Sequence, residues 1–143
     1  MTHATTWSDR AKDAALIPAR FALGSTMLYH GTAKLRGEGP QQTGQMFEGL
    51  GLKPGKALAI ATGLAETFAG AAAVLGIATR PAALAVLVTQ AMAISKVHAP
   101  RGFFPMLNGG DAAILFCFIF LYFAVAGGGP WSLDRLLWPG GRR

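Results

Sequence analysis

Eight polar side chains lie within or at the ends of otherwise apolar segments, and their chemistry is the first clue to function. They are Arg20, His30, Lys34, Glu66, Gln90, Lys96, His98 and Asp111. Where such segments cross a membrane, each charged group costs about 2.5–3.5 kcal/mol on insertion scales, so it needs a partner or a water-filled site. Glu66 is the most informative, because a carboxylate near the middle of a membrane is a functional hypothesis by default.

These residue types favour proton transfer next to an anion-stabilising group. Carboxylates and imidazoles exchange protons when their surroundings bring their affinities towards neutrality. A proton relay is therefore predicted from Glu66, His30, His98 and Asp111. Cations stabilise negative charge that develops on a bound ligand. That role is predicted for Arg20, Lys34, Lys96 and Arg101.

Each assignment has a structural alternative. Cations at helix ends often serve only as snorkelling anchors, which applies to Lys34, Lys96 and Arg101. Asp111 begins an apolar segment, where a carboxylate is favourable with the helix dipole and acts as a cap. His30 suits hydrogen bonding inside a bundle, and His98 suits anchoring at an interface. For Glu66 the alternative is a buried ion pair with Arg20.

The elements that hold these residues are predicted to be membrane-spanning helices. The chain is 52% hydrophobic and 14% charged, whereas a soluble domain carries about 25% charged residues. A helix needs about 20 apolar residues to cross a bilayer. Four segments approach that length: 15–35, 55–79, 82–98 and 111–126. The prediction is an all-α integral membrane four-helix bundle, with a short interfacial C-terminal helix at Leu133–Leu137 between Trp131 and Trp138.

The domain organisation follows from these segments. Residues 1–14 are predicted to form a polar interfacial N-terminus, 15–138 a single four-span domain, and 139–143 a tail. The Gly-, Gln- and Pro-rich stretch 36–56 is predicted to leave the membrane, with one short interfacial turn at 45–50. Arg80-Pro81 is predicted to make a tight turn, and Gly127–Pro130 to end the fourth helix.

Other classes of protein fit less well. A soluble bundle is disfavoured because the fourth segment has no polar face at helical period. A secretory signal is disfavoured because Arg20 falls inside its apolar part. One cysteine rules out an intramolecular disulfide framework and a thiolate-rich zinc site, and no metal, flavin, haem or iron–sulfur site is evident. The net charge of +6 is scattered over helix ends, which favours lipid headgroups over nucleic acid.

Four spans would bring the polar residues to one membrane face. With both termini on one side, the ionisable groups that meet on the other are His30, Lys34, Lys96, His98 and Asp111. Glu66 lies roughly 16 Å along the second helix, near the middle of the bilayer. The predicted arrangement is a polar funnel that leads from one interface towards Glu66.

An ordered set of short motifs resembles the DoxX family of small membrane proteins. The motifs are Arg20-Phe-Ala-Leu-Gly24, Tyr29-His30-Gly31, Lys34-Leu35, Glu66 with Gly70, Leu75–Arg80, Val97–Phe104, Asn108-Gly109-Gly110 and Gly127–Asp134. Together they extend from about Ala19 to Leu136. Asp111 departs from the family pattern, in which Glu usually follows the two glycines.

The resemblance implies a four-helix inner-membrane protein associated with respiratory redox chemistry. One branch of the family is similar to a small subunit of thiosulfate:quinone oxidoreductase. The leading hypothesis is thus a subunit that engages a quinone or quinol and passes its protons, with electrons from a protein partner. One alternative is a non-catalytic membrane anchor or assembly scaffold for a redox complex. A small proton-coupled transporter that uses Glu66, and oligomerises to widen its pathway, is a further alternative.

Charge alone does not orient the chain. Six basic residues fall on the terminal side, namely Arg10, Lys12, Arg80, Arg135, Arg142 and Arg143, and six on the other, namely Lys34, Arg36, Lys53, Lys56, Lys96 and Arg101. The resemblance, together with the terminal Arg142-Arg143, favours cytoplasmic termini in the bacterial plasma membrane. The expected partners are the lipid bilayer and a redox protein or a second copy of the chain, with no nucleic acid.

Overall fold

The fold is built from helices that pack along one another. A computed structural model describes residues 7–139, and of Trp7–Arg10, Lys12 and Asp13 only the backbone. The α-helices are α1 (Trp7–Leu35), α2 (Gly39–Gly49), α3 (Gly55–Leu75), α4 (Thr79–Met92), α5 (Pro105–Asn108), α6 (Asp111–Ala126) and α7 (Leu133–Leu137). Residues 7–139 contain no strand, so the predicted all-α class is confirmed. Expectations for residues 1–6 and 140–143 lie outside this range.

Small residues allow α1 and α3 to pack backbone against backbone. A Cβ atom added to Gly24 would lie 2.7 Å from the carbonyl oxygen of Gly70, and one added to Gly31 would overlap the backbone of Thr67. Such glycines are typical of helices that approach closely where lipid gives no hydrophobic drive. α1 is continuous through Pro18 and ends at Leu35. The close approach places the face of α1 that carries Gly24 and Gly31 against α3.

The apolar core lies between α1, α3, α4 and α6. Its largest fully buried side chains include Phe120, Phe123, Met27 and Val86, and alanines of α3 and α4 fill the space between them. Phe120 and Phe123 meet edge to face, with ring centroids 5.7 Å apart. α4 thereby packs on both α3 and α6.

The turn between α3 and α4 lies earlier than predicted. Gly76 takes a left-handed conformation with φ of 66° and ends α3, and the N–H of Ile77 donates to the carbonyl of Ala72 at 3.0 Å. This pairing is the usual glycine-based helix end. Arg80-Pro81 does not form the turn but belongs to the first turn of α4, where a proline is tolerated because that N–H needs no partner.

Two other segments also differ from the prediction. Residues 39–49 form the full helix α2 in place of a single turn at 45–50, because Gly39-Pro40 provides a proline at the helix start. The third apolar segment is not α-helical to its end: Ala93–His98 is a π-helical segment, followed by a 3₁₀ turn at Ala99–Arg101. The fourth segment and α6 have the same bounds.

Hydrogen bonds tie the segment 128–134 to α1 and to the turn between α3 and α4. The guanidinium of Arg20 is buried and donates to the carbonyls of Gly128 at 2.6 Å and Trp131 at 2.9 Å. The carboxylate of Asp134 accepts from the N–H groups of Ala78 and Thr79 at 2.6 and 2.9 Å. We call these contacts of Arg20 and Asp134 the C-terminal clasp.

Helix length and composition bear on membrane insertion. Within residues 7–139, Gly55–Leu75 and the continuous helical run Thr79–Arg101 are long and apolar enough to cross a membrane. Asp111–Ala126 is apolar but shorter.

Candidate functional site

An ion pair between α1 and α3 lies at the centre of the site. Lys34 Nζ is 2.5 Å from Glu66 Oε2, and it also donates to the carbonyl of His30 at 3.3 Å. The side chain of Glu66 is 5% exposed and that of Lys34 is 21% exposed. The glycine contacts described above bring the two helices close enough for this pair to form. Lys34 therefore compensates the buried negative charge of Glu66.

The alternative pairing of Glu66 with Arg20 is wrong. Arg20 precedes Lys34 by fourteen residues on α1, which places it roughly 21 Å away along the axis. Its guanidinium is occupied in the C-terminal clasp. Arg20 is therefore separated from the ion pair and holds the opposite end of the molecule together.

A cavity of about 300 Å³ opens beside the ion pair. It lies at the end of the molecule that carries the α2–α3 connection and the 99–110 segment, since Leu52 and Gly109 line it. Its charged and polar lining residues include His30, Lys34, Glu66, Gln90, Lys96 and His98. Apolar surface predominates in the wall and includes Met27, Phe47, Val97 and Phe116. Apolar walls with a few converging polar groups are typical of small-molecule sites.

Most of the predicted site residues share this cavity, and three do not. Five of them line it: His30, Lys34, Glu66, Lys96 and His98. Asp111 is exposed and precedes the face of α6 on which Ala112 and Phe116 line the cavity. Arg101 is exposed where the chain turns away from the π-helical segment, and Arg20 lies in the clasp. Asp111 therefore does not line the cavity, although it was predicted to belong to the polar funnel. Of the four cations predicted to stabilise negative charge, Arg20 and Arg101 do not line it either.

The π-helical segment forms part of the cavity wall. A π-helix pairs residues five apart, so it rotates the following side chains relative to an α-helix. Ala93, Lys96, Val97 and His98 of this segment line the cavity. π-turns inside helices are frequent at functional sites. Nothing in the sequence pattern of 82–98 indicated this change.

Asn108 holds His98 in a defined orientation. His98 Nδ1 is 3.2 Å from the backbone carbonyl oxygen of Asn108. A carbonyl only accepts, so in the neutral ring this bond assigns the proton to Nδ1 and leaves Nε2 as an acceptor. The buried amide of Asn108 donates to the carbonyl of Gly102 at 2.7 Å and accepts from the N–H of Gly110 at 2.8 Å. The sequence showed Asn108 only as part of the motif Asn108-Gly109-Gly110.

Two aromatic walls of the cavity escaped the sequence analysis. Phe116 meets the ring of His30 edge to face, with centroids 6.3 Å apart. Phe47 comes from α2, of which only a short turn at 45–50 was expected, and it is 9% exposed. The proline start of α2 was the available signal for that wall.

The cavity can accept and donate hydrogen bonds in apolar surroundings. Glu66 and the imidazole nitrogen of His98 provide acceptors, whereas Lys34, Lys96 and Gln90 provide donors. Gln90 is 7% exposed, and its amide has only long contacts, to Met27 Sδ at 3.8 Å and Thr89 Oγ1 at 3.4 Å. The arrangement can hydrogen-bond a small polar molecule and exchange protons with it.

Comparison with known proteins finds a matching family and a relative. The model of the DoxX family matches residues 15–99, the part of the chain that contains every ionisable residue of the cavity wall. A protein of Haemophilus influenzae described as "Uncharacterized protein" is 35% identical over 119 residues, which are 81% of this chain and 85% of the relative. No solved structure matches the chain.

Proposed function

Because the chain belongs to the DoxX family, we propose that it is a four-span protein of the bacterial plasma membrane whose cavity binds a quinone or quinol. In this proposal the termini are cytoplasmic and the cavity opens towards the outer face. Fusion of a reporter to the C-terminus tests the orientation, and a reporter that is active only outside the cytoplasm would contradict it.

The outer surface of the helices supports the membrane placement. Large apolar side chains point outward on each of the four longest helices. On α6 Phe118 is 68% exposed, on α3 Phe68 is 70% exposed, and on α4 Val88 is 62% exposed. Contiguous apolar surface of this kind marks contact with a membrane or a partner.

The observation that carries the ligand assignment is the Lys34–Glu66 pair at the wall of a largely apolar cavity. A volume near 300 Å³ is at the small end of ligand sites, which suits a single-ring head group. Reduction of a quinone to a quinol takes two electrons and two protons. Glu66, His30 and His98 would exchange the protons, Lys34 and Lys96 would stabilise negative charge on the ring oxygens, and a redox partner would supply both electrons.

Binding of a short-chain quinol analogue to the purified protein in nanodiscs tests this proposal. Hydrogen bonds to charged groups contribute about 1.5–3 kcal/mol, so Glu66→Gln and His98→Ala are each expected to weaken binding by roughly tenfold or more. Glu38→Gln is the matched control, because Glu38 is exposed and lies outside the cavity. No quinone in extracts of the gently purified protein, together with equal affinity in all variants, would overturn the assignment.

A second candidate function, a membrane anchor or assembly scaffold for a redox complex, is favoured by the C-terminal surface. Trp131, Leu136 and Trp138 are 70%, 73% and 60% exposed, and they lie together around α7. Photo-crosslinkers at Trp138 and at Phe118 of α6 would capture the partner. Under this alternative the complex assembles normally with Glu66→Gln and fails to assemble with Trp131→Ala and Trp138→Ala combined.

A further inference from the structure

The segment between the 3₁₀ turn and α6 carries an apolar tip whose four large side chains are mostly exposed. Phe103, Phe104, Met106 and Leu107 are 90%, 64%, 87% and 85% exposed. Single exposed apolar residues are ordinary, but a cluster of four large ones is not. We call residues 103–107 the apolar tip.

The apolar tip is ordered and not a slack loop. The rings of Phe103 and Phe104 meet edge to face, with centroids 5.6 Å apart. The N–H of Leu107 donates to the carbonyl of Phe104 at 3.0 Å. The side-chain amide of Asn108, just after the tip, donates to the carbonyl of Gly102, just before it, at 2.7 Å. The segment therefore presents four apolar side chains outward in a fixed arrangement.

Two cations precede the tip on the chain, and no acid lies between them or within the tip. Lys96 and Arg101 are exposed, and residues 96–107 contain neither Asp nor Glu. Apolar side chains next to Lys or Arg are typical of segments that enter the interface of an anionic membrane. Long cationic side chains there keep their heads at the phosphates while their stems lie along apolar surface.

We propose that the apolar tip inserts into the anionic lipid leaflet beside the cavity, with Arg101 on a lipid phosphate. This inference depends on the membrane placement proposed above. Lipid is a better occupant than protein because the tip protrudes, and a fluid bilayer needs no matching pocket. A second copy meeting the tip with its own tip would bring like charges together at Arg101. Through Asn108 and His98, insertion anchors the rim of the cavity in lipid.

Spin labels that report immersion depth test the proposal in the full chain. In a Cys117→Ala background, single cysteines replace Leu107, the outward-facing Phe118 of α6 and the exposed Gln41 of α2. Oxygen concentrates in lipid and a nickel chelate stays in water, so the ratio of their collision rates reports depth. In nanodiscs that contain phosphatidylglycerol, the label at 107 is expected to be more lipid-like than that at 41 and shallower than that at 118, because Phe118 is midway along α6.

The outcomes separate this inference from the membrane placement. A water-like label at 107 with a lipid-like label at 118 overturns the inference alone, whereas water-like labels at both overturn the placement as well. A label at 107 that is water-like in nanodiscs but shielded in native membranes indicates a protein partner and also overturns it.

A charge test addresses the phosphate contacts. Replacing phosphatidylglycerol by phosphatidylcholine is expected to lower the oxygen-to-nickel ratio at position 107 severalfold. In Arg101→Gln, the ratio is expected to depend much less on the lipid. A ratio that does not depend on lipid charge in the unsubstituted loop would refute the role of Arg101.

Discussion

Removing the cation of the buried ion pair provides the sharpest test of the site. Lys34→Met keeps the length of the side chain but removes the ammonium that lies 2.5 Å from Glu66. The side chain of Glu66 is 5% exposed, so little water can replace the lost partner. The opposite change, Glu66→Gln, leaves a lysine whose long stem can carry its charge to the cavity mouth.

The two substitutions should therefore differ in cost. Breaking a buried pair so that one charge stays unpaired costs about 3–5 kcal/mol. For Glu66→Gln we expect about 1 kcal/mol, the loss of one hydrogen bond. For a chain of this size 1 kcal/mol lowers the melting temperature by roughly 3–4 °C. Lys34→Met should thus melt about 9–20 °C below the unsubstituted protein.

Thermal unfolding in detergent, followed by tryptophan fluorescence, measures these differences. The double variant Lys34→Met with Glu66→Gln should recover part of the loss, because no charge is left unpaired. Lys56→Met is the control, since Lys56 is exposed at the start of α3. The reasoning on the buried charge is refuted if Lys34→Met melts within about 2 °C of the unsubstituted protein. It is also refuted if Lys34→Met melts no more than about 2 °C below the double variant.

Three further predictions concern backbone contacts and the site. Gly31→Ala should destabilise the fold by about 1–3 kcal/mol because its Cβ would overlap the backbone of α3, whereas Gly49→Ala, with open space around it, should be neutral or stabilising in the same melting assay. Ala78→Gly should raise stability by about 1 kcal/mol, since φ at Ala78 is 47° and glycine adopts that conformation without strain; an unchanged melting temperature would contradict this. Asn108→Ala keeps the backbone carbonyl that His98 Nδ1 contacts but removes the side-chain bonds to Gly102 and Gly110 that position it. The ¹⁵N signals of the His98 ring should therefore shift from the form protonated at Nδ1 towards a tautomer mixture; an unchanged spectrum would contradict the orienting role.

The sequence predicted the helices well where apolar residues run between clear stops. α6 has the predicted bounds because Gly110 and Gly127 flank an unbroken apolar run. The C-terminal helix lies at Leu133–Leu137, as predicted, since Ser132 caps it through the N–H of Arg135. The class of fold follows from such patterns, which depend only on local residues.

The missed features depend on contacts between distant residues. The pairing named from the sequence for Glu66 was with Arg20, and only the register of α1 on α3 shows that Lys34 is the partner. The π-helical segment leaves no mark in the periodicity of its six residues. From the sequence, Asp111 could not be distinguished from residues that line the cavity. Consecutive residues of a helix point in different directions, and only the packing of α6 shows which of them face inward.

The C-terminal clasp has a consequence for biosynthesis. Arg20 and the carbonyl of Gly128 that it contacts are 108 residues apart in the chain. At 5–20 residues per second, a ribosome needs on the order of 5–20 s to make the intervening polypeptide. During that interval the nascent chain holds a guanidinium that lacks its final partners. A chain that ends before residue 128 cannot form the clasp, so its Arg20 never gains these two acceptors.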